Sequence, residues 1–180
     1  MPLLLATDDE LDAVAALVNA SYRGEGGWTH EMGVVIGERT NAQDLRRDLA
    51  AQIGAALLVW RDEVGGPILG CVWLEPADAD AWYLGLLTVR PDLQDRKLGR
   101  VILAEAEAYA FARGARRIKM TVVNVRASLI AWYERRGYRL TGESLPFPYD
   151  DGRFGAPVRG DLAFVVLARP LQQRVVDPPA

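Results

Sequence analysis

Three apolar runs, separated by turn residues, constrain the fold of this chain more than any other feature. They are Ala55–Arg61, Ile68–Glu75 and Trp82–Val89. Each run has the length of a strand, and Glu63–Pro67 between the first two is rich in turn-forming residues. The pattern predicts an antiparallel hairpin that is followed by a third strand.

Two strand–helix–strand units follow the three runs. Helices are predicted over residues 99–113 and 128–136, and they stop at Gly114 and Gly137, because glycine commonly ends a helix. Strands are predicted over residues 117–123, 139–143 and 162–167. Crossover units of this kind place helices against the faces of a sheet.

The N-terminal part predicts one more strand and two helices. Pro2–Ala6 is the strand, and Thr7 with Glu10 three residues later forms a capping box for the first helix. Asn41 caps a second helix that ends near residue 52. Residues 23–33, between the two helices, contain four glycines and are predicted to form a flexible loop.

The complete order of elements is β-α-α-β-β-β-α-β-α-β-β. It predicts an α/β (α+β) fold, in which helices flank both faces of a mixed, mainly antiparallel sheet of six to seven strands. We expect a single domain over residues 1–172 and a flexible tail over residues 173–180.

Charge and cysteine content argue against several classes of function. The net charge is −3 and the pI is near 5.3, whereas nucleic-acid-binding domains usually have a pI above about 9. Cys71 is the only cysteine, so we expect neither an internal disulfide nor a metal site, and we predict a buried core residue. Apolar stretches stay below the roughly 18 residues of a membrane span. A cytoplasmic protein is therefore expected.

The most informative segment runs from Leu87 to Arg100, where an apolar strand enters a cationic loop that opens a helix. Residues 90–100 contain four cations and two anions, so this segment carries +2 in a chain of −3. Backbone N–H groups at a helix start, together with positive charge, form an anion site. From the residues alone, an ordinary solvated loop explains the segment equally well.

A second segment, Asn124–Tyr138, places a polar residue at a strand end and an aromatic-rich helix before a Gly-Tyr pair. Together the two segments resemble the GNAT superfamily of acetyl-CoA-dependent N-acetyltransferases. The matching residues are Val89-Arg90-Pro91 with Gln94-Asp95-Arg96-Lys97-Leu98-Gly99, and then Asn124, Ala127, Tyr133, Gly137 and Tyr138. The order and separation of the two motifs are also typical of this family.

The resemblance implies that acetyl-CoA is the co-substrate and that the amides of one loop hold its pyrophosphate. The loop residues are Gln94, Asp95, Arg96, Lys97, Leu98, Gly99 and Arg100. Gly99 would allow close approach of the backbone, which a side chain would block. Lys97 departs from the family, which usually has glycine there. Its side chain points either away from the phosphates or towards them as an added cation.

The resemblance also implies the catalytic groups. The backbone amide of Leu87 faces the thioester oxygen as an oxyanion donor, and Val89 pairs with pantetheine. Tyr133 is the general acid, because a phenol is protonated at neutral pH and can donate to the leaving thiolate. The high-pH limb of the rate profile is then expected to depend on Tyr133. Asn124 either contacts coenzyme A near the thiol or is a turn residue at a strand end.

The acceptor side is less well defined. Candidates for the acceptor site are Trp28, His30, Glu31 and Tyr83, of which the first three lie in or beside the glycine-rich loop. Candidates for the general base are Glu31, Glu75, His30 or a water chain.

The sequence therefore predicts an N-acetyltransferase that moves an acetyl group to a primary amine of a small molecule or peptide. Transfer is expected to be direct, in a ternary complex, because the only cysteine has no neighbouring histidine in the sequence. The alternative is a non-catalytic acyl-CoA-binding module, or a dimerisation module with a vestigial site. The loop Ser144–Gly160 either covers the acceptor site or pairs subunits in a homodimer. Nucleic acid, membrane and metal are not expected partners.

Overall fold

The computed structural model describes residues 3–24, 31 and 33–172. The helices are α1 Leu11–Arg23, α2 Ala42–Ala51, α3 Leu98–Ala112 and α4 Ala127–Glu134. The strands are β1 Leu4–Leu5, β2 Val35–Ile36, β3 Ala56–Trp60, β4 Gly70–Pro76, β5 Ala81–Val89, β6 Arg117–Val123, β7 Arg139–Pro146, β8 Ala156–Pro157 and β9 Ala163–Pro170. The predicted tail, residues 173–180, lies outside the described residues, so the domain boundary at residue 172 stays a prediction.

Seven of these strands form one mixed sheet in the order β1-β3-β4-β5-β6-β9-β7. Only β5 and β6 pair in parallel within this sheet, and the other neighbours are antiparallel. The predicted sheet type is therefore confirmed. The β6–α4–β7 unit is also a crossover, but β9 lies between its two strands. The small strands β2 and β8 pair separately and were not predicted.

The last two strands of the sheet are longer than the sequence predicted. β7 continues to Pro146 because its ladder with β9 extends to the pair Pro146–Ala163, and β9 continues to Pro170, which pairs with Arg117 of β6. Every residue of β7 is exposed at this sheet edge. An exposed edge strand has no buried face and therefore no apolar alternation from which its end could be predicted.

Side chains of the central strands alternate between two cores, one on each face of the sheet. Leu58 and Trp60 of β3 belong to the core that contains α3 and α4 residues. Leu57 and Val59 belong to the core formed with α1 and α2. Successive residues of a strand point to opposite faces, so both faces are covered by helices, as predicted.

The predicted helix starts in the N-terminal part are confirmed. The backbone N–H of Thr7 donates to Glu10 Oε2 at 2.9 Å, and the residues that follow begin a short 3₁₀ turn that leads into α1. Asn41 Oδ1 accepts from the backbone N–H of Asp44 at 2.9 Å and caps α2.

The most consequential irregularity of the sheet is in β5. Its register with β4 shifts between Cys71 and Trp73, where β5 contributes one residue more than β4. Leu86 has φ +47° at this bulge, a conformation that is costly for a residue with a Cβ atom. Pairing of β5 with β6 ends at Tyr83. Since a bulge bends its strand, β5 diverges from β6 over its second half and opens a gap in the sheet.

Candidate active site

A cationic cavity of about 570 Å³ lies beside this gap, between the end of β5, the start of α3 and one face of α4. It is lined by Leu87, Val89, Gln94, Lys97, Gly99, Arg100, Ser128, Leu129, Trp132, Tyr133, Arg135 and Arg136. Four of these side chains are basic, and the lining within the described part of the chain includes no carboxylate. The cavity therefore favours an anionic ligand.

The start of α3 reinforces this positive potential. Lys97 immediately precedes the helix with φ +64°, in the left-handed region. The first turn of α3 contains no acidic residue, and the first N–H groups of a helix lack intrahelical acceptors. The conformation of Lys97 gives a physical reason for a glycine at this position, and its side chain lines the cavity.

The fold does not require a glycine at position 99, in the first turn of α3. A Cβ atom there would lie 3.5 Å from Trp132 Cζ2 and 3.6 Å from Val89 Cγ2, which are ordinary van der Waals contacts. The fold therefore accepts alanine at this position. Any stricter requirement for glycine must come from a ligand in the cavity.

Arg136, two residues after the end of α4, lines the cationic cavity. Its guanidinium lies 3.4 Å from the centre of the Trp132 ring, and Nη1 donates to the Trp132 carbonyl at 2.6 Å. Its Nε is buried and has no hydrogen-bond partner in the described structure. Partial burial, followed by the charges of Arg135 and Arg100, lowers the pKa of Arg136. An anion would relieve both the unpaired donor and the repulsion.

Tyr133 lies at the inner end of this cavity and is only 6% exposed. Its ring makes edge contacts with Trp132 and Tyr138, with centroid distances of 5.0 and 5.6 Å. The hydroxyl makes no hydrogen bond to another residue that the structure describes. Burial raises the pKa of Tyr133 well above its ordinary value, so the phenol stays protonated even at high pH. The high-pH limb of the rate profile is therefore not expected to depend on Tyr133, contrary to the prediction from the sequence.

A second cavity, of about 430 Å³, meets the first one at the gap beside β5. We call it the mixed-charge cavity. It is lined by Tyr22, Arg23, Glu31, Val35, Arg39, Tyr83, Leu84, Gly85, Leu86, Leu87, Met120, Thr121, Val122, Val123, Arg126, Leu129, Tyr133, Leu145, Pro146, Phe147, Pro148 and Phe164. Leu87, Leu129 and Tyr133 line both cavities.

Glu31 is the one carboxylate in the described lining of the mixed-charge cavity. One of its oxygens accepts from Arg23, and the other accepts from Arg126 Nη1 at 3.4 Å. The three side chains are 8–11% exposed. Elsewhere in the lining, Tyr83 Oη lies 3.0 Å from Thr121 Oγ1. The structure thus brings two predicted acceptor-site residues, Glu31 and Tyr83, to the same cavity.

Other predicted site residues lie elsewhere. Asn124 lines neither cavity, and its amide group is bonded to the backbone of Asp161 and Ala163 at 3.0 and 3.1 Å. Leu98 packs against the core, and Arg96 lines a separate cavity near Arg90. Trp28 and His30 lie outside the described residues, as does the side chain of Asp95. Glu75, a candidate base, lines neither cavity and accepts from Trp73 Nε1 at 2.9 Å.

Much of the α4 face, and the two arginines that follow the helix, were not predicted as site residues from the sequence. Ser128, Leu129, Trp132, Arg135 and Arg136 all line the cationic cavity. They recur three to four residues apart, which is the spacing of one helix face. That periodicity, with the Arg-Arg pair at the end of the second motif, was the available signal. The arginines of the mixed-charge cavity gave no such signal, because they come from separate segments.

Cys71 is fully buried, as predicted. Its Sγ lies 3.6 Å from the Leu86 carbonyl oxygen, and burial raises its pKa to about 12. A thiol in this state is a poor nucleophile at neutral pH. Within residues 3–24, 31 and 33–172, no cluster of metal-binding side chains is present. No helix of the described chain is long and apolar enough to cross a membrane.

Comparison with known proteins agrees with this geometry. The acetyltransferase (GNAT) family matches residues 28–138. A mycothiol acetyltransferase of Propionibacterium freudenreichii is 27% identical over 168 aligned residues, which cover 86% of this chain and 50% of that protein. The chain thus spans about half the length of this curated relative.

Solved acetyltransferases share the fold across nearly the whole chain. A ribosomal-protein-alanine N-acetyltransferase of Brucella melitensis has a TM-score of 0.68 at 20% identity, covering 95% of this chain and 100% of that one. An N-acetyltransferase of Staphylococcus aureus Mu50 also has a TM-score of 0.68, at 12% identity, with coverages of 94% and 98%. Since the family model matches more than half of the sequence, the chain belongs to the acetyltransferase (GNAT) family.

Proposed function

We propose that this protein transfers an acetyl group from acetyl-CoA to a primary amine by direct attack in a ternary complex. One observation carries the proposal. The cationic cavity and the mixed-charge cavity meet at Leu87, Leu129 and Tyr133. A ligand in each cavity could therefore bring its reacting atoms together beside the residues that the sequence predicted as oxyanion donor and acid.

The cationic cavity fits the phosphates of coenzyme A. Lys97, Arg100, Arg135 and Arg136 supply positive charge, and the first N–H groups of α3 supply donors. Arg136 adds to this fit, because it lines the cavity and its buried Nε has no hydrogen-bond partner in the described structure. When bound, acetyl-CoA supplies the activated thioester, while these residues hold it.

The gap beside β5 fits the extended arm of the cofactor. After Tyr83, β5 has no ladder partner in β6, so this edge can accept an added strand-like ligand. Leu87 lines both cavities, and we assign its backbone amide as the donor to the developing oxyanion. Such donors act on charge that appears only in the transition state.

Tyr133 supplies the proton for the leaving thiolate in this proposal. The amine nitrogen forms a C–N bond with the thioester carbon, the C–S bond breaks, and the Tyr133 hydroxyl protonates the sulfur. Starting from an ammonium ion, the nitrogen loses two protons, of which one restores the Tyr133 hydroxyl and the other is released, so the net products are an amide, a thiol and one proton. A pKa raised by burial keeps Tyr133 in its donating form.

Glu31 is better suited to organise the cavity than to remove the proton of the amine. Both of its oxygens already accept from guanidinium groups of Arg23 and Arg126. Its backbone carbonyl accepts from Val34 and Val35 at 3.0 and 3.2 Å. These bonds fix the carboxylate between the two arginines.

A thiol-release assay tests the proposal. The purified protein with acetyl-CoA is screened against amines, amino acids, polyamines and peptides, while calorimetry measures acetyl-CoA binding. We expect measurable affinity, weaker as salt rises, and thiol release that depends on the acceptor. Absence of acetyl-CoA binding at millimolar concentration would overturn the proposal.

A further inference from the structure

The described lining of the mixed-charge cavity carries more positive than negative charge, which the transfer of acetyl to an ordinary amine does not explain. Its described lining contains Arg23, Arg39 and Arg126 but a single carboxylate, Glu31. The net charge of these lining residues is +2. A cavity built only to receive a cationic ammonium group would be expected to carry the opposite sign.

Burial makes this excess energetically significant. The side chains of Arg23 and Arg126 are only 11% and 10% exposed. The guanidinium carbons of Arg39 and Arg126 lie 5.8 and 5.9 Å from the centre of the Tyr22 ring, so both charges are near the same aromatic residue. Desolvated like charges repel, and an anion bound among them gains correspondingly strong hydrogen bonds.

The wall formed by the end of β7 and its neighbours is apolar. Val35, Val123 and Phe147 are buried and pack with Phe164 in a small core of their own. The rings of Phe147 and Phe164 stack with a centroid distance of 5.3 Å. All four residues line the mixed-charge cavity. A ligand there can therefore contact apolar side chains with one group and guanidinium groups with another.

We infer that the acceptor is a small amine that also carries a carboxylate, as an amino acid does, with an apolar substituent against the Phe147 wall. The planar guanidinium groups of Arg39 and Arg126 match a carboxylate in shape as well as charge. This inference rests on the proposed function, since it names the substrate class of the same site. The reaction keeps the balance given above, and the carboxylate takes no part in bond making.

Two product analogues test the inference without requiring turnover. N-acetylphenylalanine and N-acetylphenethylamine share the acetamide and the aromatic ring and differ only in the carboxylate. Calorimetry with the protein saturated with coenzyme A should give an affinity at least about tenfold higher for the carboxylate compound, as for a charged hydrogen bond. Equal affinities, or tighter binding of the compound without a carboxylate, would overturn the inference.

Variants of the cavity arginines test which side chains cause the preference for the carboxylate compound. Arg39→Gln and Arg126→Gln should each reduce the difference between the two analogues to about threefold or less, mainly through weaker binding of the carboxylate compound. Arg46→Gln is the matched control, because Arg46 pairs with Asp8 on the surface and lines neither cavity. An unchanged tenfold preference in both cavity variants would also contradict the assignment.

The same proteins separate this inference from the proposed function. Acetyl-CoA affinity and thiol release are measured for each variant in parallel. A protein that prefers the carboxylate analogue but never releases thiol would refute acetyl transfer and support the charge assignment of the cavity. Equal kcat/KM values for amines and amino acids would support the proposed function and contradict the inference.

Discussion

The two cavities that meet at Tyr133 are built from the chain in different ways. The cationic cavity takes its lining from two short stretches, residues 87–100 and 128–136. The mixed-charge cavity draws on α1, the segment 31–39, β5, β6, α4, the end of β7 and β9. A site made of contiguous residues leaves a motif in the sequence, whereas a dispersed site does not. The first cavity was therefore predictable in outline, and the second was not.

Their electrostatics differ as well. Basic side chains in the cationic cavity face no carboxylate in the described lining, so their charge is available to a ligand. In the mixed-charge cavity, Glu31 is held between two arginines. In our proposal, the cationic cavity binds a highly charged ligand, whereas the mixed-charge cavity positions a smaller ligand through a few directed contacts.

The largest expected effect comes from reversing the charge of the cationic cavity. Gly99→Glu should lower acetyl-CoA affinity by more than about a hundredfold, because it adds bulk and negative charge where phosphates are proposed to bind. Calorimetry measures the loss, and circular dichroism checks the fold.

Gly99→Ala is the matched control for this variant. The added Cβ would make only ordinary contacts with Trp132 and Val89, so the protein should fold normally. Normal acetyl-CoA affinity in Gly99→Glu would show that the cationic cavity is not the cofactor site.

A smaller effect is expected from Arg136. Arg136→Gln removes a cation with a buried, unpartnered Nε, and we expect about a tenfold loss of acetyl-CoA affinity at low salt. The loss should shrink as ionic strength rises, because salt screens the lost attraction.

Arg113→Gln provides the comparison for Arg136→Gln. Arg113 also stacks on an aromatic ring, 3.5 Å from the centre of Tyr109, and its Nη1 donates to a backbone carbonyl. It lines neither cavity. Equal losses of affinity in the two variants would mean that stacking on the protein, and not contact with phosphate, explains the Arg136 result.

The fold was predictable because its strands and helices have regular apolar patterns, and because glycines follow the ends of the later helices. The bulge in β5 was not predictable, because Leu86 adopts φ +47° in a run of ordinary strand residues. For Asn124 the motif left two alternatives open, a contact with coenzyme A or a turn at a strand end, and in the structure its amide is bonded to the backbone next to β9. Sequence motifs identify a residue type at a position, but tertiary contacts decide which group its side chain meets.

The smallest expected effects concern Lys97, the departure from the family pattern. Lys97→Ala and Lys97→Gly should both weaken acetyl-CoA binding about two- to fivefold, the size of an exposed charge contact. Only Lys97→Gly should raise the free energy of unfolding, by about 1 kcal/mol, because glycine accepts φ +64° without a Cβ clash. Calorimetry and urea denaturation measure the two effects separately. Wild-type affinity for acetyl-CoA in both variants would show that the Lys97 side chain does not contribute to binding.

Tyr133, where the two cavities meet, provides the most direct test of the account. Tyr133→Phe keeps the ring and its packing and removes only the hydroxyl. Steady-state kinetics with one identified acceptor, from about pH 6 to about pH 10, should show kcat reduced about tenfold to a hundredfold, with a similar KM for acetyl-CoA. Because burial raises the pKa of Tyr133, the hydroxyl stays protonated and the reduction should be the same factor at every pH. An unchanged kcat across this range would contradict the account and leave Tyr133 as a packing residue.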